Sequence, residues 1–92
     1  MKYLDEYKIV ELDNNKNYIV INSIIYDDDN YVYLVSDKDP KDQEIALVTK
    51  EDNRTKVNII DKNAEENKEL LAEIMVEITE GLTKYLNKEG AV

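Results

Sequence analysis

The chain has no cysteine and no histidine. Without thiols, disulfides, thiolate catalysis and zinc–thiolate sites are excluded. Without imidazole, Ser-His-Asp and Cys-His arrangements and imidazole metal sites are excluded as well. No remaining side chain titrates near neutral pH at its ordinary pKa. Tryptophan and phenylalanine are missing too, so seven tyrosines carry all the aromatic bulk. A phenol hydroxyl wants water or a partner, which places most of them at the edge of a core. There are only two glycines, Gly81 and Gly90, both near the end of the sequence, so there is no glycine-rich phosphate loop. Long apolar runs are absent, so no segment reads as a membrane-spanning helix. The opening Met-Lys-Tyr-Leu-Asp-Glu lacks the apolar stretch of a signal peptide, and the expected location is cytoplasmic.

What is present is charge and branched aliphatics. The 92 residues match one domain, 1–92, with room for a single core. Charged residues make up 36% of the chain and apolar ones 42%, enough Ile, Val and Leu to reject disorder. Twenty-one acids face twelve bases, for a formal net charge of -9. A chain this acidic is not expected to bind nucleic acid or an anionic membrane directly; its natural partners are basic protein surfaces or cations.

The apolar period is two over the first part of the chain and about three and a half over the last. Tyr7–Leu12 reads as a first strand, followed by an Asn-rich hairpin signal at residues 13–17. Tyr18–Tyr26 is the strongest strand pattern, and Asn22-Ser23 in its middle predicts a bend or bulge. Asp27–Asn30 turns the chain into Tyr31–Ser36, a loop around Pro40 leads to Glu44–Lys50, and a turn at residues 51–54 leads to Lys56–Ile60. Such short connections allow only hairpins, so the strands form an antiparallel meander. From Ala64 to about Asn87 a helix is expected, with Leu71, Ile74, Met75, Ile78, Leu82 and Tyr85 on its apolar face. Asp61 or Asn63 is the expected cap, Lys84 and Lys88 suit the negative end, Gly90 is the expected stop, and Gly81 is a weak point. The fold class is therefore α+β: a curved antiparallel meander of four or five short strands, residues 7–60, with one long C-terminal helix, residues 64–87, packed on it.

Both sheet faces are apolar. Val10, Ile19, Ile21, Val32, Leu34, Ala46 and Val48 have the opposite parity from Tyr7, Val20, Ile24, Tyr33, Ile45 and Leu47. Either the sheet curls on itself, the preferred reading, or a second chain covers the spare face as a homodimer.

Catalytic and metal patterns are poor. Asp27-Asp28-Asp29-Asn30 places carboxylates consecutively, without the alternation, glycine and closing glutamate of a calcium loop. Asp37, Asp39 and Asp42 alternate partly but are interleaved with Lys38 and Lys41, as in a solvated surface loop. Paired carboxylates running acid–base chemistry need a cleft that a one-sheet, one-helix domain rarely has. No enzyme, no cofactor and no metal site is expected.

The strongest functional pattern is on the helix. Glu66, Glu69, Glu73, Glu77 and Glu80 follow 3, 4, 4, 3 spacing and fall within about 80° of arc at 100° per residue, roughly opposite the apolar face. The result is an acidic ridge about 20 Å long. Like charges at i, i+4 cost helix stability. As a site, the ridge implies docking on a basic surface; the plainer reading is a solvated face of an acidic protein.

Lys8-Ile9-Val10-Glu11-Leu12, the long second strand, Tyr31-Val32-Tyr33-Leu34-Val35, Glu44-Ile45-Ala46-Leu47-Val48 and the Glu-rich final segment together resemble the YrzB-like proteins, small acidic proteins of Gram-positive bacteria of unknown function. The resemblance runs from about Tyr7 to Glu80. It departs from the family in its Asn-rich turns, where Asp-Gly is usual, and in the tail after Gly81. It implies no catalytic residues. In size and acidity the chain is also similar to phage-encoded inhibitors that mimic nucleic acid, including anti-CRISPR and anti-restriction proteins. The expected function is a non-enzymatic acidic interaction module that binds a basic protein surface, in the manner of a nucleic-acid mimic or phage-type inhibitor. The alternative is a homo-oligomeric structural or accessory domain.

Overall fold

Five strands and one long helix appear in the computed structural model, which describes residues 2–90, with the backbone alone at residues 82, 85, 86 and 88–90. The strands are β1 (Ile9–Glu11), β2 (Asn17–Tyr26), β3 (Asp29–Ser36), β4 (Gln43–Glu51) and β5 (Arg54–Ile59); a 3-10 turn (Glu65–Asn67) leads into α1 (Lys68–Gly90). The sheet order is β1-β2-β3-β4-β5, and every pairing is antiparallel. It is the α+β meander expected from the sequence, curled into a half-barrel, with one C-terminal helix.

Two of the hairpins close through two-residue turns in which both central residues have positive φ: Asp27 and Asp28 (50° and 67°), and Asp52 and Asn53 (51° and 67°). This backbone matches the right-handed twist of the strands, and glycine is its usual occupant. Asp and Asn are among the few other residues that enter the left-handed region at modest cost. These turns let β3, β4 and β5 extend one to two residues further into the connections than the alternation alone indicates.

The two apolar faces separate into two cores. One gathers Tyr18, Val20, Val32, Leu34, Ala46 and Val48, with Val10 from β1 and Val57 from β5 packed against it. Contributions from both edge strands to one cluster require the sheet to curl around this face. The segment before β1 adds Leu4, and the Tyr3 amide donates to the Asn30 side chain at 2.8 Å. The other core gathers Ile21, Ile24, Tyr31, Tyr33 and Ile45 under Ile74 and Ile78 of the helix.

The assignment of β2 residues to faces differs from the parity argument. Val20 lies in the curled core, whereas Ile19 and Ile21 pack on the helix side. The cause is a β-bulge: Val20 pairs with Leu34 but Asn22 pairs with Tyr33, leaving Ile21 as the extra residue. Even-numbered side chains therefore face the curled core up to Val20 and the helix from Asn22 onward. The irregularity expected at Asn22-Ser23 is present one residue earlier. β1 is also shorter than expected, starting at Ile9; Tyr7 has φ 68° and both Tyr7 and Lys8 bond Val20 outside the regular ladder.

The helix begins differently too. Ala64 is the cap residue of the 3-10 turn and no side chain caps it. Asp61 instead accepts from the Asn63 amide at 2.9 Å, and its carbonyl accepts from the Asn67 side chain at 3.0 Å, so it shapes the entry rather than capping it. Ile74 and Ile78 are fully buried, Leu71 and Leu70 half-buried, and Met75 is 43% exposed. Leu82, Tyr85 and Lys88, also assigned roles from the sequence, lie outside the described side chains. The helix runs to Gly90, three residues past the expected end.

Candidate interaction surface

The helix docks on β2 at one close approach. Asn22, second residue of the bulge and 8% exposed, donates its side-chain amide to the Glu77 carbonyl at 2.5 Å. A Cβ on Gly81 would come within 3.0 Å of three atoms of the Asn22 side chain. Gly81 is therefore where helix and sheet touch backbone to side chain, and not merely a weak point in the helix. The signal was a glycine in a helix and a polar residue in an apolar strand, two local defects that match each other only in three dimensions.

This docking sets the direction of the acidic ridge. Glu69, Glu73, Glu77 and Glu80 lie on α1 and Glu66 on the 3-10 turn before it, and all five are exposed. None forms an ion pair among the described residues; the helical pair that does form is Glu65–Lys68. The ridge is not opposite the buried face, as the wheel suggested, but leans toward β2. Glu77 and Glu80 line a cleft of about 360 Å³ together with Lys2, Glu6, Tyr7 and Lys84. Lys2 is committed to Glu6 at 3.7 Å. The structure thus leaves all five glutamates exposed, four on α1 and Glu66 on the turn before it, and places Glu77 and Glu80 beside the segment preceding β1.

The aspartates of the hairpins and the Pro40 loop are engaged differently. Asp27 and Asp28 are exposed in their turn. Asp42 accepts from the Tyr18 hydroxyl at 2.9 Å and from the Lys16 ammonium at 3.2 Å. The Tyr18 hydrogen bond, and then Lys16, hold the Asp42 carboxyl below the usual carboxylate range. Burial first, and the bond to Asp42 second, push the Tyr18 phenol up; the Asp42 contact pushes Lys16 up. Tyr18 is 1% exposed, so its ring belongs to the core while its hydroxyl reaches the loop, as a core-edge tyrosine should. Asp39 accepts from the Lys41 amide at 3.0 Å. These bonds shape the loop. Among the described residues no group of three or more acidic side chains is arranged to hold a metal ion, and no helix is long and apolar enough to cross a membrane.

Comparison of the chain with protein-family models, with curated proteins and with solved structures finds no match. The ridge and its surroundings therefore carry the functional argument.

Proposed function

We propose that the protein is a non-enzymatic acidic interaction module that engages a basic protein surface through Glu66, Glu69, Glu73, Glu77 and Glu80, in the manner of a nucleic-acid mimic or phage-type inhibitor. The observation that carries this reading is the row of five exposed glutamates with no cation paired to them among the described residues. A row of like charges destabilises its own helix. It also concentrates a field that steers a basic partner and speeds association.

The test is capture from cell extract on three immobilised proteins: the parent, a ridge variant with Glu73→Lys and Glu77→Lys, and a control with Glu11→Lys and Glu51→Lys, which changes net charge equally away from the helix. The reading expects partners held by parent and control and lost from the ridge variant, with all three folded by circular dichroism. Partners retained by the ridge variant, or lost equally from the control, refute it. Retention by the ridge variant would leave acidity as a solubility device and favour the homo-oligomeric alternative; equal loss from the control would assign binding to net charge and not to the ridge.

A further inference from the structure

The ridge occupies only one side of the exposed helix. Next to it runs a second strip, Ala72, Met75, Val76 and Thr79, within about 100° of arc, uncharged between Ala72 and Thr83 and bounded at its start by Lys68, which is paired with Glu65 at 2.9 Å. Val76 is 64% exposed and Met75 43% exposed. Thr83 continues the strip, with its hydroxyl donated back to the Thr79 carbonyl at 2.9 Å. On the wheel, Val76 is within about 40° of Glu69 and Glu80, so strip and ridge share a border. On its other side the strip ends at a notch of about 280 Å³ between α1 and β4, with Tyr33, Ile45, Met75 and Ile78 among its walls. The Lys62 ammonium at this notch is tied to Glu44 at 3.4 Å and to the Gln43 carbonyl at 2.8 Å. An apolar side chain entering the notch therefore meets aromatic and aliphatic walls and no free cation.

We propose that α1 receives a basic amphipathic helix, whose apolar stripe lies on Ala72, Met75, Val76 and Thr79 with one large side chain in the notch, and whose Lys and Arg flank reaches the glutamate ridge. This rests on the reading that the ridge binds basic partners and names the class of partner. Helix-in-groove recognition uses this combination of anchor and flank. Charge decides the occupant. An antiparallel two-fold pairing of α1 with a second copy would set each ridge beside itself, between chains that each carry a net charge of -9. A basic helix removes that repulsion.

The probes are two synthetic peptides of equal length and lysine count. In one, Leu and Lys alternate at helical spacing; in the other, Ser replaces Leu. Binding is read by fluorescence anisotropy at physiological ionic strength. The Leu/Lys peptide is expected to bind at least about ten-fold more tightly than the Lys/Ser peptide. Met75→Ser with Val76→Ser should cut that preference to below about three-fold and leave Lys/Ser affinity unchanged. Equal affinity for the two peptides, or an undiminished preference in the double variant, overturns the proposal. If Lys/Ser binding still depends on Glu73 and Glu77 in that case, the ridge reading stands and only the helical partner falls. If neither peptide responds to ridge reversal, the ridge reading itself fails, and this proposal with it. Concentration-dependent dimers that Val76→Ser abolishes would assign the strip to a second copy and also overturn it.

Discussion

Replacing Gly81 by alanine tests the docking of the helix, on which the direction of both helix surfaces depends. In an exposed helix interior the change would stabilise by about 1 kcal/mol, because glycine is the poorer helix former. Here the new methyl meets the Cβ, Cγ and Nδ2 of Asn22 at under 3.0 Å. A different Asn22 rotamer moves the amide but not the Cβ, so some backbone must shift as well. Overpacking of this kind costs about 1–3 kcal/mol. Displacing the amide also breaks its bond to the Glu77 carbonyl and leaves a buried polar group unpaired, at about 1–3 kcal/mol. Partial relaxation shares these costs, so the expected net loss is about 1–3 kcal/mol, opposite in sign to the propensity effect. Each kcal/mol lowers Tm by about 4–8 °C in a domain of this size.

The control is Asn22→Gly, which removes the opposing side chain. In that background Gly81→Ala should become stabilising by up to about 1 kcal/mol. The double-mutant coupling is then about 1–4 kcal/mol. Urea denaturation followed by far-UV circular dichroism measures all four proteins. Gly81→Ala raising stability by about 1 kcal/mol in the parent would refute the docking geometry.

Three further perturbations test the frame that holds the helix. Asn30 is 1% exposed; its amide donates to Ser23 and the Ile24 carbonyl at 3.0 Å each, and its carbonyl accepts from the Tyr3 amide, so Asn30→Ala should cost about 2–4 kcal/mol and speed hydrogen exchange at Tyr3. Unchanged denaturant midpoints would contradict that network. Asp28→Gly relieves a positive-φ position at the tip of β2–β3 and should raise stability by about 0.5–1 kcal/mol, read as a higher urea midpoint; a lower midpoint would count against the turn geometry. For Asp42, whose folded pKa lies below its unfolded value near 3.9, the sign is that of a paired carboxylate: its contribution is present above that value and is lost as pH falls through the folded one. Tyr18 and Lys16, both raised, contribute below about 10 and lose that contribution as pH climbs through their folded values. Asp42→Asn should therefore flatten the acid limb of a stability–pH profile, and an unchanged limb would remove Asp42 from the account.

Much of the fold was legible because it rests on local signals. Strand alternation, Asn- and Asp-rich turns and the change of period after Ala64 each report on a few neighbouring residues. The curl was legible as well, since two apolar faces on one sheet leave few other arrangements. Face assignment in β2 failed because a bulge of one residue inverts parity, and the polar pair that marked it did not say which residue was extra. The first strand was overextended because Tyr7 fits the alternation but adopts a left-handed conformation. The ridge residues were legible from spacing alone. Their tilt toward β2, and the uncharged strip beside them, were not, because the rotation of the helix is set by the burial of Ile74 and Ile78 together with the contact between Gly81 and Asn22, 59 positions apart in the chain.

The most direct measurement of the central claim is a 15N–1H correlation spectrum of the parent protein titrated with oligolysine. The account predicts that amide shifts concentrate along the helix from Glu66 to Glu80 and shrink steeply as added salt brings the Debye length below about 8 Å. Shifts centred instead on the Asp27–Asp29 turn or the Asp37–Asp42 loop, or spread over the surface in proportion to its acids, would contradict the claim that the glutamate ridge is the recognition surface.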